Sequence, residues 1–293
     1  MKATSHPPPA GRQLLLEFRP VQLFLSAAAV LLPLAYLLLV LLYGALFLSR
    51  HPTAERWAQP VLLATLGLHG AYLVALGFRW HQFPAATVPQ ALSVVALAVA
   101  LVYALVERIG RERSTGVWLM ALVFLFQLLA STLQRPDVPS LHHFRSALFA
   151  THVGLALMGY SAFVVAGGYG FLFLRLYREL KLGRFRLFYG RLPALEVLDG
   201  LMSGALWVGF LALTGATAAG LTFAYQTHGL RFLADANVVF TLATWLIYGV
   251  TLTLRRSGRW QGRQTAVACL AGLAAIVVSL ITFNFIFQSF HGA

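Results

Sequence analysis

A single cysteine, Cys269, stands in 293 residues, so no internal disulfide can form. No CxxC or CxxCH occurs, which argues against dithiol redox chemistry and against a thioether-linked cofactor on this chain. Charge is scarce as well. Only 11% of the residues are charged, against roughly 25% in a soluble domain. The apolar runs carry no carboxylate near their centres, which leaves a carboxylate relay for protons or cations poorly supported. Walker loops, HExxH, GxSxG and dinucleotide fingerprints are absent, and the soluble enzyme classes they mark are without support.

Apolar sequence is what the chain has in abundance. It is 59% hydrophobic with a mean hydropathy of +0.76. Repeated runs near 20 residues long read as membrane-spanning helices, because within lipid every backbone group must be bonded internally. Eight spans are expected, over 21–48, 59–79, 88–107, 116–133, 147–174, 195–223, 237–254 and 265–288. Pro52, Pro60, Pro84, Pro89, Pro136, Pro139, Pro193 and Gly258 punctuate them. The fold class is therefore an all-α polytopic integral membrane bundle. It has a polar N-terminal tail over 1–20 and one membrane domain over 21–293. The run after the tail is too long for a signal-peptide core and lacks a cleavage site, so it reads as an uncleaved first span.

The net charge of +13 would suggest nucleic acid in a soluble protein. Here the basic residues sit in the loops and set orientation. With eight spans, seven Lys and Arg fall on the side of the termini and fifteen on the other. The richer side is cytoplasmic by the positive-inside rule, which turns both termini outward from a bacterial inner membrane. The basic loop from Arg175 to Arg191 contacts anionic lipid on this reading, or docks a partner.

The nine histidines are unevenly placed. His6, His81, His142, His143, His152, His228 and His291 lie on or near the outer side, His51 is cytoplasmic and His69 is mid-membrane. Imidazole is a usual axial ligand of haem iron, and a haem takes two ligands from opposite sides. His152, just inside the fifth span, and His291, behind the last span, share the outer face and form the candidate pair. A buried histidine bonded to a neighbouring helix is the plain alternative for His152, and a solvated tail histidine for His291. His69 either ligates haem in transit or bonds a neighbouring helix. Asp235 caps the seventh span or holds a histidine or arginine at the rim of a haem-facing loop. Arg79, Arg145 and Arg231 suit haem propionates, being able to bond them bidentately, or are solvated loop charges.

Several stretches together resemble the cytochrome c assembly protein family, which includes the CcsA and CcmC haem-handling proteins and the HemX and YpjD membrane proteins. His152-Val153 through Tyr160 and Phe163 is similar to the family's histidine-bearing span. Leu192 to Asp199, then Gly209-Phe210 and Leu213-Thr214, resembles the next one. Asp235 followed by Trp245-Leu246-Ile247-Tyr248, Trp260-Gln261-Gly262-Arg263, and Asn284 seven residues before His291 keep the family's order. Arg79-Trp80 and Pro84 resemble the loop before the third span. The likeness covers about 60–293.

The resemblance implies a non-covalent haem b held at the outer face by His152 and His291, with His69 at the family's intramembrane histidine position. It further implies that haem is moved or presented for attachment to apocytochrome c, alongside other cytochrome c maturation proteins. The chain departs from the family at the haem-presenting loop, Tyr225 to Asp235, which contains no tryptophan. That departure brings it nearer the HemX and YpjD branch. The competing expectation is a HemX-type membrane regulator or scaffold of haem biosynthesis. A small-solute transporter is a weaker third reading. On the first reading the chain is a haem transporter, a chaperone or part of a cytochrome c synthetase system rather than a classical enzyme.

Overall fold

The structure, a computed structural model, describes residues 10–134, 145–183, 189–228 and 236–276. All regular structure among them is helical. The elements are α1 (Ala10–Ser49), α2 (Pro52–Trp80), α3 (Val88–Gly110), α4 (Gly116–Thr132), α5 (Ala147–Lys181), α6 (Leu195–His228), α7 (Ala236–Arg256) and α8 (Arg263–Ile276). Five of them are long and apolar enough to cross a membrane: α2, α3, α5, Pro20–Ser49 within α1, and Leu195–Gln226 within α6.

Local chemistry accounts for most boundaries. Pro52 opens α2 at a position where its missing N–H costs nothing. Thr87 caps α3 by accepting from Gln90 N, while Gln90 Oε1 accepts from Ala86 N, a variation on the capping box. Ser146 caps α5 by accepting from Phe149 N. Gly258, with φ of 73°, ends α7 in the left-handed region.

Three expectations shift. Helix α1 begins at Ala10, inside the stretch read as a polar tail. Pro60 lies in the interior of α2 rather than in its first turn, because α2 starts seven residues earlier than expected. A proline removes one N–H and crowds one turn. Helices in an apolar bundle tolerate this because their neighbours satisfy the freed carbonyl. The eighth span is described only as far as Ile276, so its expected remainder to 288 lies outside the described residues.

The helices alternate in direction. One end of the bundle gathers Arg50, the 111–115 turn, the start of α6 and the α7–α8 turn. The other gathers His81, Ser146 and the C-terminal end of α6. Helices α1 to α4 pack on one another, α5 packs along α6, and α3 joins the two groups by contacting both α5 and α6. The core is continuous across that join, from Tyr36, Leu39 and Tyr43 through Val99 and Tyr103 to Phe163, Tyr169 and Met202. Outward-facing Leu41, Leu63, Phe78, Leu105 and Leu211 leave an apolar exterior, the surface a bundle presents to lipid.

Small residues set the spacing of α5 and α6. A Cβ on Gly159 would sit 3.1 Å from Leu213 N and 3.2 Å from Gly209 O, and one on Gly209 would sit 3.2 Å from Gly159 O. The two backbones touch there, as glycine-bearing membrane helices allow.

Candidate functional site

His152 lies where this close approach continues toward the end of the bundle opposite the arginine-rich turns. Its half-buried ring faces α6, and a carbonyl fixes it: Nδ1–H donates to Ala216 O at 2.7 Å. Because the acceptor is a carbonyl, the proton must reside on Nδ1. In the neutral ring Nε2 then carries the lone pair, and no hydrogen bond engages it among the described residues. This is the state in which a histidine ligates a metal, with the second nitrogen anchored to set tautomer and orientation. Gly220, one turn beyond Ala216, supplies the surface under the ring. Phe149 packs at 6.1 Å from the ring and at 5.0 Å from Phe223, shielding one edge.

His69 is held quite differently. It is fully buried, and both nitrogens are engaged. Tyr36 lies 2.8 Å from Nδ1 and Ser93 Oγ 2.9 Å from Nε2. Ser93 then donates to Gln127 Oε1 at 2.9 Å, and Gln127 Nε2 donates to Ser131 Oγ at 3.2 Å. One assignment satisfies the whole run. Tyr36 donates to Nδ1, Nε2–H donates to Ser93, and the chain continues in the same sense to Ser131. Four helices meet in it. The geometry is that of the interhelical alternative left open by the sequence. Ligation by His69 requires its bond to Tyr36 or to Ser93 to open.

Arg145 lies just before α5, at the end of the bundle where His152 sits. It lines a cavity of about 400 Å³ with His81, Gln82, Phe83 and Ala150. Behind it a second, apolar cavity of about 330 Å³ runs between α2, α3 and α5, lined by Phe83, Pro84, Val94, Gly154 and Met158. The structure thus brings Arg145 and His152 to one end and leaves His69 within the α1–α4 group. Arg79 lies over the Trp80 ring at 5.5 Å near the same end. His291, Asp235 and Arg231 lie outside the described residues.

Sequence reasoning missed two polar assemblies at the opposite end. Asp199 and Arg255 form a bidentate pair at 2.6 and 2.7 Å, and Arg255 Nε donates to Ser203 at 2.8 Å. This ties α7 to the start of α6. Glu107, 3% exposed, accepts from Tyr43 at 2.5 Å and pairs with Arg113 at 3.2 Å. Arg113 also donates to Glu55 O and Gln59 Oε1. Each acid stands near the end of its helix, and its partner lies too far along the chain for helical spacing to show the pairing.

An all-helical apolar bundle with buried polar ties between its helices defines a multi-pass membrane protein. The profile described as Cytochrome C assembly protein matches residues 85–291, and the chain belongs to that family. It is 30% identical over 251 residues to the cytochrome c biogenesis protein CcsA of Prochlorococcus marinus (strain MIT 9303), covering 74% of this chain and 78% of that one. Against the cytochrome c biogenesis protein CcsA of Parasynechococcus marenigrum (strain WH8102) it is 29% identical over 288 residues, covering 88% and 93%.

Proposed function

We propose that this protein acts in c-type cytochrome biogenesis by binding haem b without a covalent bond and handling it at the outer face of the bacterial inner membrane. The observation that carries the reading is His152, with Nδ1 committed to Ala216 O and Nε2 left open. On this reading His152 and His291 would hold the haem iron. Bound haem would supply an iron that neutral imidazoles can ligate. Arg145, at the same end, and Arg231 serve the propionates, Asp235 steadies the rim, and His69 is a ligand only when its hydrogen bonds open. Haem, apocytochrome c and other cytochrome c maturation proteins are the partners.

The topology that goes with this reading has eight spans and both termini outward. Fifteen of the 22 Lys and Arg then face the cytoplasm. The test is the absorption spectrum of the purified protein, reduced and oxidised, beside His152→Ala and His291→Ala. A sharp reduced b-type spectrum, lost in both variants, is the expected result. A protein that takes up no haem even when supplied with it overturns the reading.

One observation favours a second reading. Tyr225 to Asp235 contains no tryptophan, so a HemX-type regulator or scaffold that delivers no haem is the alternative. Deleting the gene and measuring both holocytochrome c and tetrapyrrole intermediates separates the two. Loss of holocytochrome with normal intermediates favours haem handling, and altered intermediates favour the regulator.

A further inference from the structure

At the arginine-rich end, between the α1–α2 turn and the α3–α4 turn, lies a cavity of about 560 Å³, within the size range of ligand sites. Arg50, Arg108, Arg111 and Arg113 line it together with Glu55, Gln59, Glu107, Glu112 and Leu46. Arg113 is committed to Glu107, Gln59 and the Glu55 carbonyl. Arg50, Arg108 and Arg111 make no ion pair or side-chain hydrogen bond among the described residues, and all three are exposed. Two of them, Arg50 and Arg111, occupy helix ends with φ of 49° and 52°, where glycine is the usual residue because a Cβ is strained there.

We infer that this cavity binds the headgroup of a membrane phosphoglyceride whose terminal group donates hydrogen bonds. Guanidinium groups match phosphate oxygens in charge and in fork geometry. An anion alone does not account for the acids on the same wall. The Glu55 carboxylate offers acceptors suited to the hydroxyls of a glycerol headgroup or to a primary ammonium. A lipid fits better than free phosphate because apolar surface adjoins the arginines. Leu48, two residues before Arg50, is 60% exposed, and Ile109, between Arg108 and Arg111, is 75% exposed. Basic pockets between membrane helices take the phosphates of anionic lipids in the same way.

The test is native mass spectrometry of the full chain in mild detergent, supplied separately with phosphatidylglycerol, phosphatidylethanolamine and phosphatidylcholine, whose choline carries no donor. The expected result is several-fold greater retention of the first or second lipid than of phosphatidylcholine. That preference disappears in Arg108→Gln/Arg111→Gln and in Arg50→Gln. It persists in Arg256→Gln/Arg259→Gln, which removes the same charge from another turn. Equal retention of all three lipids overturns the proposal, as does a preference that survives in both cavity variants. Displacement of bound lipid by millimolar inorganic phosphate identifies a free-anion site and overturns the assignment to lipid.

Discussion

Gly220 is the surface on which the His152 ring rests: a Cβ added there would lie 2.5 Å from Nδ1 and 2.6 Å from Cε1. No L side chain fits without moving the imidazole, because the ring is also tied to Ala216 O on the same helix. Gly220→Ala therefore acts on the orientation of His152 and leaves its chemistry intact. Loss of such an orienting contact costs metal ligands about 10- to 100-fold in affinity. The expected outcome is a protein that folds, with haem retention reduced by that order in a titration followed by absorbance. Full retention would detach haem binding from His152.

The buried chain through His69 gives a second prediction. Ser93→Ala removes the acceptor for His69 Nε2–H and the donor for Gln127 Oε1. Hydrogen bonds between membrane helices average only about 0.6 kcal/mol each. Two broken bonds with stranded buried partners thus cost about 1–2 kcal/mol. A thermal unfolding midpoint lowered by several degrees, with the haem spectrum unchanged, is the expected signature. An altered haem spectrum would tie this network to the cofactor.

The Asp199–Arg255 pair is partly shielded and bidentate. Removing one partner leaves the other charged and under-solvated, at a cost of about 2 kcal/mol. Asp199→Ala and Arg255→Ala are each expected to destabilise by that amount. The double variant should lose less than the sum of the two. Additive losses in a double-mutant cycle would show that the pair contributes nothing as a pair.

Gly159 meets backbone atoms of α6, which have no rotamer to retreat into. Gly159→Val must push the two helices apart. Overpacking of this kind costs about 1–3 kcal/mol. Reduced protease resistance of the α5–α6 unit is the expected readout, with haem binding weakened because His152 lies on the same interface.

Much of this fold was written in the apolar runs. The expected start of the third, fourth, fifth and sixth spans coincides with that of α3, α4, α5 and α6; capping residues mark α3 and α5, and Pro193 precedes α6. Pro60 misled because proline reads as a break in one dimension, whereas a packed apolar bundle absorbs it inside a helix. The histidines were legible as types and depths, yet their roles were not. Nothing in Leu68-His69-Gly70 announces that Tyr36, Ser93 and Gln127 converge on it from three other helices. Nothing in Ala219-Gly220-Leu221 announces an imidazole lying across the glycine. Pairings such as Asp199 with Arg255 join residues 56 apart, and only the packing of α6 on α7 brings them together.

The run from Tyr36 to Ser131 has one further consequence. Every link in it joins a different pair of helices except the last, within α4, and every link carries its proton in the same direction. Sliding α2 or α3 by a single residue shifts it about 1.5 Å and breaks two polar contacts that lipid cannot replace, and sliding α1 or α4 breaks one. These four helices are thereby tied at a common depth. Between α5 and α6 the tie is of another kind: the backbone approach at Gly159 and Gly209, together with the bond from His152 to Ala216 O.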